Sequence, residues 1–289
     1  MKIIAFTLCF IAVAQHGIAE PLPEGKSKIT LTVRGKTLDV FTYRPASYRD
    51  GPLLVVMHGV SRNAEGYRDH AMPIADQLHA LIIAPHFTKE QFPTETYQRG
   101  GIVVDGKAQP REQWTFQCVH DLAALMRQRE GRADMPYYLL GHSAGGQILH
   151  RLAAFMPGEA KRIVAANPGS LTFPTREQNY PYGFGDLPPE LGGDDQIKAY
   201  LAAPLTLYLG TADVLTKDLD VSPEAMKQGK TRFERGHACF DMAQALARKH
   251  GWPFNWRLVE APGQGHSAGA MFGYPQAMKT FSSSDKPAP

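Results

Sequence analysis

Short apolar runs bounded by turn residues recur along the chain and alternate with longer stretches whose apolar positions repeat at helical spacing. Residues 53–57, 80–84, 137–140, 163–166, 205–209 and 255–260 have the length and apolar continuity of strands buried on both faces. Residues 28–33 and 37–43 alternate apolar and polar positions around Gly35, which predicts an opening β-hairpin. Helical spacing covers 64–78, 111–130, 144–155 and 232–250, the last stopped by Gly251 and Pro253. A final helix over 268–281 is interrupted by Pro275. Strand and helix in alternation predict an α/β protein, with a mostly parallel twisted sheet and helices on both faces.

Two stretches, 88–110 and 170–203, are rich in Gly, Pro and Tyr and too long for simple connectors, so they are expected to cover a site. With no internal repeat and no linker, the pattern predicts one domain over 20–281 and a disordered tail over 282–289. The N-terminus differs. Met1-Lys2, an apolar run over 3–14 and Gly17-Ile18-Ala19 before Glu20 have the order of a cleavable secretory signal over 1–19. The run is shorter than the roughly 20 apolar residues of a membrane span. The mature chain is therefore expected to start at Glu20, to be secreted or periplasmic, and to have no stable membrane insertion.

The 289 residues are 43% hydrophobic and 20% charged, which excludes disorder, collagen and coiled coil as the main architecture. Net charge is +3, from 31 Lys+Arg against 28 Asp+Glu, and loss of Lys2 with the leader lowers it by one to +2. That charge is too small and too evenly scattered for a nucleic-acid footprint. Of three cysteines, Cys9 lies in the leader; Cys118 and Cys239 could bridge or remain buried thiols, and neither has metal-ligand spacing.

Chemistry is concentrated at Gly141-His142-Ser143-Ala144-Gly145, between a strand and a helix. This is the context of a G-x-S-x-G nucleophile elbow, in which glycines let the backbone turn sharply around the serine. The same pentapeptide recurs at Gly265-His266-Ser267-Ala268-Gly269, but no histidine follows Ser267 and the only acid after it is Asp285. A nucleophile of this kind is followed by an acid and then a histidine, so the first copy carries the nucleophile and the second carries the histidine.

The strand over 205–209 runs into Gly210-Thr211-Ala212-Asp213, which places a carboxylate just beyond a strand end. His266 follows the next strand in the same way, whereas His237 and His250 fall within the helix over 232–250. The predicted catalytic set is Ser143, Asp213 and His266. Oxyanion stabilisation needs two backbone N–H donors; Ala144 and Val60 are expected to supply them, with Ser61 as the alternative to Val60. His58, before Gly59, reads as a structural histidine holding that loop. The phrase Gln228-Gly229-Lys230-Thr231-Arg232 lacks the glycine run of a phosphate loop and reads as a connector.

In this order the chain resembles the α/β-hydrolase superfamily of serine hydrolases over roughly residues 29–281. The resemblance rests on His58-Gly59, the Ser143 pentapeptide, Gly210-Thr211-Ala212-Asp213 and Gly265-His266. Met57-His58-Gly59 followed by Asn63-Ala64-Glu65-Gly66-Tyr67 is similar to secreted polyester depolymerases and feruloyl-esterase-like enzymes. One departure is the 53 positions between Asp213 and His266, more than the superfamily usually has, which an insertion around 216–231 would explain. The resemblance implies hydrolysis of small or polymeric carboxylic esters through an acyl-enzyme, with no metal or organic cofactor. Tyr180, Tyr182, Phe184, Phe92 and Tyr97 of the two long loops are candidates for substrate contact or for packing the loops down. An amidase or peptidase using the same triad, and a non-catalytic binding protein on the same fold, are the competing readings.

Overall fold

The computed structural model describes residues 20–282; the leader expected over 1–19 and all but the first residue of the expected tail lie outside the described residues. Eight strands form one sheet: β1 (Gly25–Val33), β2 (Lys36–Arg44), β3 (Leu53–Met57), β4 (Leu81–Pro85), β5 (Tyr137–His142), β6 (Arg162–Ala166), β7 (Leu205–Gly210) and β8 (Arg257–Ala261). Their order across the sheet is β1-β2-β4-β3-β5-β6-β7-β8. β1 and β2 form the expected antiparallel hairpin, closed by Arg34 and Gly35 at φ 51° and 74°, the paired positive angles of a tight two-residue turn. β2 meets β4 antiparallel, and every strand pair from β4 to β8 is parallel.

The helices longer than one turn are α1 (Ala64–Leu78), α2 (Thr115–Arg129), α3 (Ala144–Phe155), α4 (Asp194–Ala202), α5 (Arg232–His250) and α6 (Ala268–Gly273). Successive strand residues point to opposite faces. Leu53, Val55 and Met57 join the core under α2, α3, α4 and α5, while Leu54 and Val56 join the core under α1 and α6. The sheet is thus covered on both sides, which accounts for the unbroken apolar runs of its central strands.

Three expectations are refined. The helix expected over 111–130 begins at Thr115, because Trp114 is extended (φ −69°, ψ 141°) and separates it from a short 3₁₀ turn, Arg111–Gln113. The stretch over 170–203 ends in α4, whose Ile197, Tyr200 and Leu201 repeat at helical spacing and are buried, with Asp194 and Asp195 in its first turn. The last helix breaks at Pro275, as expected, into α6 and a 3₁₀ segment, Pro275–Thr280. Cys118 and Cys239 are both free and buried. Among the described residues no helix is long and apolar enough to cross a membrane.

The site follows from the topology. β4 lies on one side of β3 and β5 on the other, so the loops leaving β3 and β5 diverge and open a crevice at the carboxyl edge of the sheet. The loops after β7 and β8 reach the same edge.

Candidate active site

Ser143 sits between β5 and α3 with φ 57° and ψ −117°, in the left-handed region that non-glycine residues avoid. Such a conformation stores about 1–3 kcal/mol and persists only where its surroundings enforce it. The neighbouring glycines permit that enforcement. A Cβ on Gly145 would stand 2.1 Å from the Met57 carbonyl oxygen, and one on Gly141 2.3 Å from that of Gly145. Helix, elbow and the end of β3 can therefore pack only if both positions lack side chains. The Ser143 side chain makes no capping hydrogen bond to α3, and the first-turn N–H groups of a helix have no intrahelical acceptor.

His266 and Asp213 meet at this serine. The His266 Nδ1 atom is 2.7 Å from Asp213 Oδ2, and its Nε2 is 3.0 Å from Ser143 Oγ. An ionised carboxylate only accepts, so Nδ1 carries the proton and donates to Asp213. Nε2 is then the acceptor, and the Ser143 hydroxyl donates to it. Asp213 is buried while His266 keeps a partly exposed side chain, which leaves the imidazole open to the crevice.

Several residues that the sequence did not single out hold this arrangement. Arg232, the first residue of α5, lies 3.5 Å from the other Asp213 oxygen, and both side chains are buried. It also donates to the carbonyls of Leu215 (3.0 Å) and Lys217 (2.7 Å), shaping the loop that follows the acid. Burial lowers the guanidinium's pKa and the Asp213 charge raises it. Residues 228–231 form a connector, as expected, and Arg232 at the start of α5 partners the acid. Its signal was a cation at a helix N-terminus, where the macrodipole disfavours it.

Asn167, after β6, accepts from Gly210 N–H at 2.8 Å and donates to the Gly265 carbonyl at 3.2 Å, so one buried side chain ties the loop leading to Asp213 to the loop leading to His266. The Ala212 N–H to Gln264 carbonyl bond, 2.9 Å, adds a direct link. His142 lies under His266, ring centroids 4.6 Å apart, and the Tyr67 hydroxyl is 3.2 Å from its Nδ1. Burial first, then the nearby His266, Arg232 and His70, keep His142 well below the usual histidine range, so it is neutral.

The loop after β3 is braced in the same way. The Phe87 N–H donates to His58 Nε2 at 3.1 Å, so Nδ1 carries the proton and donates to the Gly59 carbonyl at 3.1 Å. Burial pushes this imidazole down to about 3. Val60, the expected oxyanion donor, lies on this loop, and Met57 is in register with Gly141, which brings the loop beside the elbow. Ala144 is the first residue of α3.

The expected substrate contacts divide. Tyr97 is fully buried, stacks on His58 at 4.7 Å and donates its hydroxyl to the His58 carbonyl at 2.7 Å, so it supports the loop from behind. Phe92 packs against Phe87 and Phe184 against Phe155, both nearly fully buried. These three pack the long loops onto the body and are corrected to that role. Tyr180 is half-buried against Phe155, its hydroxyl donating to the Arg99 carbonyl. Tyr182 lines a cleft of about 250 Å³ with Val60, Gln98, Arg99, Gln147 and Ser170. Gln147 follows Ser143 by one helical turn, its N–H donating to the Ser143 carbonyl at 2.9 Å, so the cleft opens beside the serine. Among the described residues no group of three His, Cys, Asp or Glu side chains is placed to hold a metal ion.

No protein-family model matches the chain, and no curated protein sequence matches it. Solved structures do. Poly(aspartic acid) hydrolase-1 from Sphingomonas sp. KT-1 is 35% identical, with a TM-score of 0.81 over 89% of this chain and 99% of that one. The poly(3-hydroxybutyrate) depolymerase LpqC from Bordetella parapertussis is also 35% identical, with a TM-score of 0.82 over 89% of this chain and 90% of that one. An S-formylglutathione hydrolase from Agrobacterium tumefaciens shares the fold at 14% identity, with a TM-score of 0.54 over 91% of this chain and 97% of that one. The sheet order, the strained serine at the end of β5 and the extent of these similarities establish that the chain belongs to the α/β-hydrolase superfamily of serine hydrolases.

Proposed function

We propose that this hydrolase is an exported serine esterase, its leader over 1–19 removed and its body over 20–281 acting as one domain. The observation that carries the reading is the hydrogen-bonded chain from Asp213 through His266 to Ser143, set at the open edge of the sheet. In this mechanism Ser143 Oγ attacks the ester carbonyl carbon while His266 Nε2 takes its proton. Asp213 holds the imidazole in the tautomer that accepts and stabilises the imidazolium. The N–H groups of Val60 and Ala144 receive the developing oxyanion. As the tetrahedral intermediate collapses, His266 returns the proton to the departing alkoxide. Water, deprotonated by the same nitrogen, then attacks the acyl-enzyme and releases the acid and free Ser143.

A polymeric or water-insoluble ester is the favoured substrate class within this reading. Val60, on the loop after β3, and Val214, Leu215 and Val221, on the stretch after Asp213, are 44%, 51%, 68% and 61% exposed. Large apolar side chains exposed in this way suit contact with an apolar surface, and the similarity to a poly(3-hydroxybutyrate) depolymerase agrees with that. The similarity to a poly(aspartic acid) hydrolase favours amide cleavage as the second reading.

The test is hydrolysis of p-nitrophenyl butyrate and of its matched anilide by the chain from Glu20, beside Ser143→Ala. Ester cleavage that disappears in the variant is expected. Cleavage of the anilide at a comparable rate would favour the amidase, and ester cleavage retained in Ser143→Ala would refute the mechanism.

A further inference from the structure

Behind the cleft beside Ser143 lies a positive charge that no acidic side chain neutralises. Arg151, two turns along α3 from Ser143, is fully buried. It donates to the carbonyls of Gln98 (3.3 Å), Gln147 (3.3 Å) and Pro181 (3.0 Å) and to Ser170 Oγ (3.1 Å). All four acceptors belong to residues that line the cleft, so the guanidinium lies behind that lining. Its Nε has no hydrogen-bond partner. Arg99 stands half-buried on the cleft wall. Among the described residues neither arginine forms an ion pair. Burial lowers the Arg151 pKa, and its bond to the Gln98 carbonyl sets it behind the segment that carries Arg99.

Two carboxylates, Asp218 and Asp220, also line the cleft, and both residues are exposed. Asp220 accepts from the Tyr182 hydroxyl and from the Ser222 N–H, and Asp218 lies in the field of Arg232. A buried cation without a counter-charge is costly, and an anionic group of the substrate would offset that cost.

We propose that the cleft is a carboxylate subsite, so that the enzyme selects substrates carrying a free carboxylate, held by the Arg99 guanidinium with the Arg151 charge behind it. The proposal rests on the reading of Ser143 as nucleophile. Gln98, Gln147 and Ser170 supply neutral hydrogen-bonding groups around the anion. The cleft volume of about 250 Å³ equals about eight water-sized groups. Its opening one helical turn from Ser143 puts the carboxylate roughly 5–10 Å from the reacting carbon. That span fits a short dicarboxylic acyl chain or the acid end of a hydroxyacid oligomer.

Two substrate pairs distinguish these sources. Mono-p-nitrophenyl adipate against p-nitrophenyl hexanoate places the carboxylate on the acyl side. The linear 3-hydroxybutyrate dimer as free acid against its carboxamide places it on the alcohol side. The acid member of one pair is expected to exceed its neutral partner in kcat/KM by roughly 10- to 100-fold, the range of a charged hydrogen bond, and that pair identifies the side. Arg99→Gln should collapse the ratio, and Arg99→Lys should keep part of it. Equal rates within both pairs, or a ratio unchanged in Arg99→Gln, overturn the proposal. A readout independent of turnover is the Tm in adipate alone, which should rise for the wild type and not for Arg99→Gln; no rise in either also overturns it. Neutral esters cleaved without acid preference would sink the subsite and leave the esterase standing. Adipate stabilisation through Arg99 in a protein that cleaves no ester would do the reverse.

Discussion

Replacing Asn167 by alanine and by glycine separates two contributions of one side chain to the site. Both variants remove the acceptor for the Gly210 N–H (2.8 Å) and the donor to the Gly265 carbonyl (3.2 Å). Gly210 is buried, so its orphaned N–H costs about 1–3 kcal/mol, and the second bond contributes about 0.5–1.5 kcal/mol. Asn167→Gly should therefore destabilise the fold by about 2–4 kcal/mol. Residue 167 has φ 42°, which asparagine and glycine tolerate better than alanine, so Asn167→Ala should lose about 1 kcal/mol more. The kinetic effect follows from position. Gly210 lies three residues before Asp213, and Gly265 precedes His266, so both partners loosen relative to Ser143. A displacement of about 1 Å at a reacting group can cost about 10²-fold; we expect kcat to fall about 10- to 100-fold, with KM within a few-fold. Urea unfolding followed through the three tryptophans, with p-nitrophenyl butyrate kinetics, measures both. Asn167→Gly that unfolds within 0.5 kcal/mol of wild type and keeps its kcat would refute the idea that this side chain couples the two loops.

Ser267 caps α6, accepting from Ala270 N–H at 3.4 Å; Ser267→Ala should cost about 0.5–2 kcal/mol and keep most of the hydrolase activity, whereas loss equal to that of Ser143→Ala would reverse the assignment of the two pentapeptides. Arg232→Met breaks a buried ion pair and should destabilise by about 3–5 kcal/mol in urea unfolding; an unchanged midpoint would show that the arginine does not partner the acid. His58 is neutral in the fold at about 3, below its unfolded value near 6.5. Its contribution is therefore complete above pH 6.5 and is lost as pH falls toward 3. His58 alone should lower the unfolding free energy by up to about 1.4 kcal/mol per pH unit through that window, and a flat profile between pH 6 and 4 would contradict it. Leu215→Ser should slow degradation of poly(3-hydroxybutyrate) films several-fold and leave p-nitrophenyl butyrate turnover nearly unchanged; equal loss on both substrates would argue against an apolar landing surface.

Much of the site was legible because local constraints specified it. The Ser143 pentapeptide needs glycines on both sides for steric reasons that any strand-to-helix elbow shares, and its rival at Ser267 could be rejected by order alone. Asp213 and His266 were legible as polar residues just beyond apolar strands. Long-range partners were not. Nothing near Asn167 indicates contact with residue 265, 98 positions away, and the buried arginines look like surface charges in a sequence. The aromatics of the long loops gave no sign of which would face the cleft, since Phe92, Tyr97 and Phe184 have the same composition signals as Tyr182.

The sequence by itself determined the alternation of strand and helix, the hairpin turn at Arg34-Gly35, the elbow and the chain order of Ser143, Asp213 and His266. These depend on neighbours within a few residues, where sterics and periodicity act directly. Only the tertiary structure decided that Arg232 partners Asp213, that Asn167 joins two loops, that Tyr97 braces His58, and that Arg151 is buried behind the cleft lining with its Nε unpartnered. Buried polar groups must find partners wherever the fold places them, and that placement is set by strand order and loop path, which no local pattern encodes.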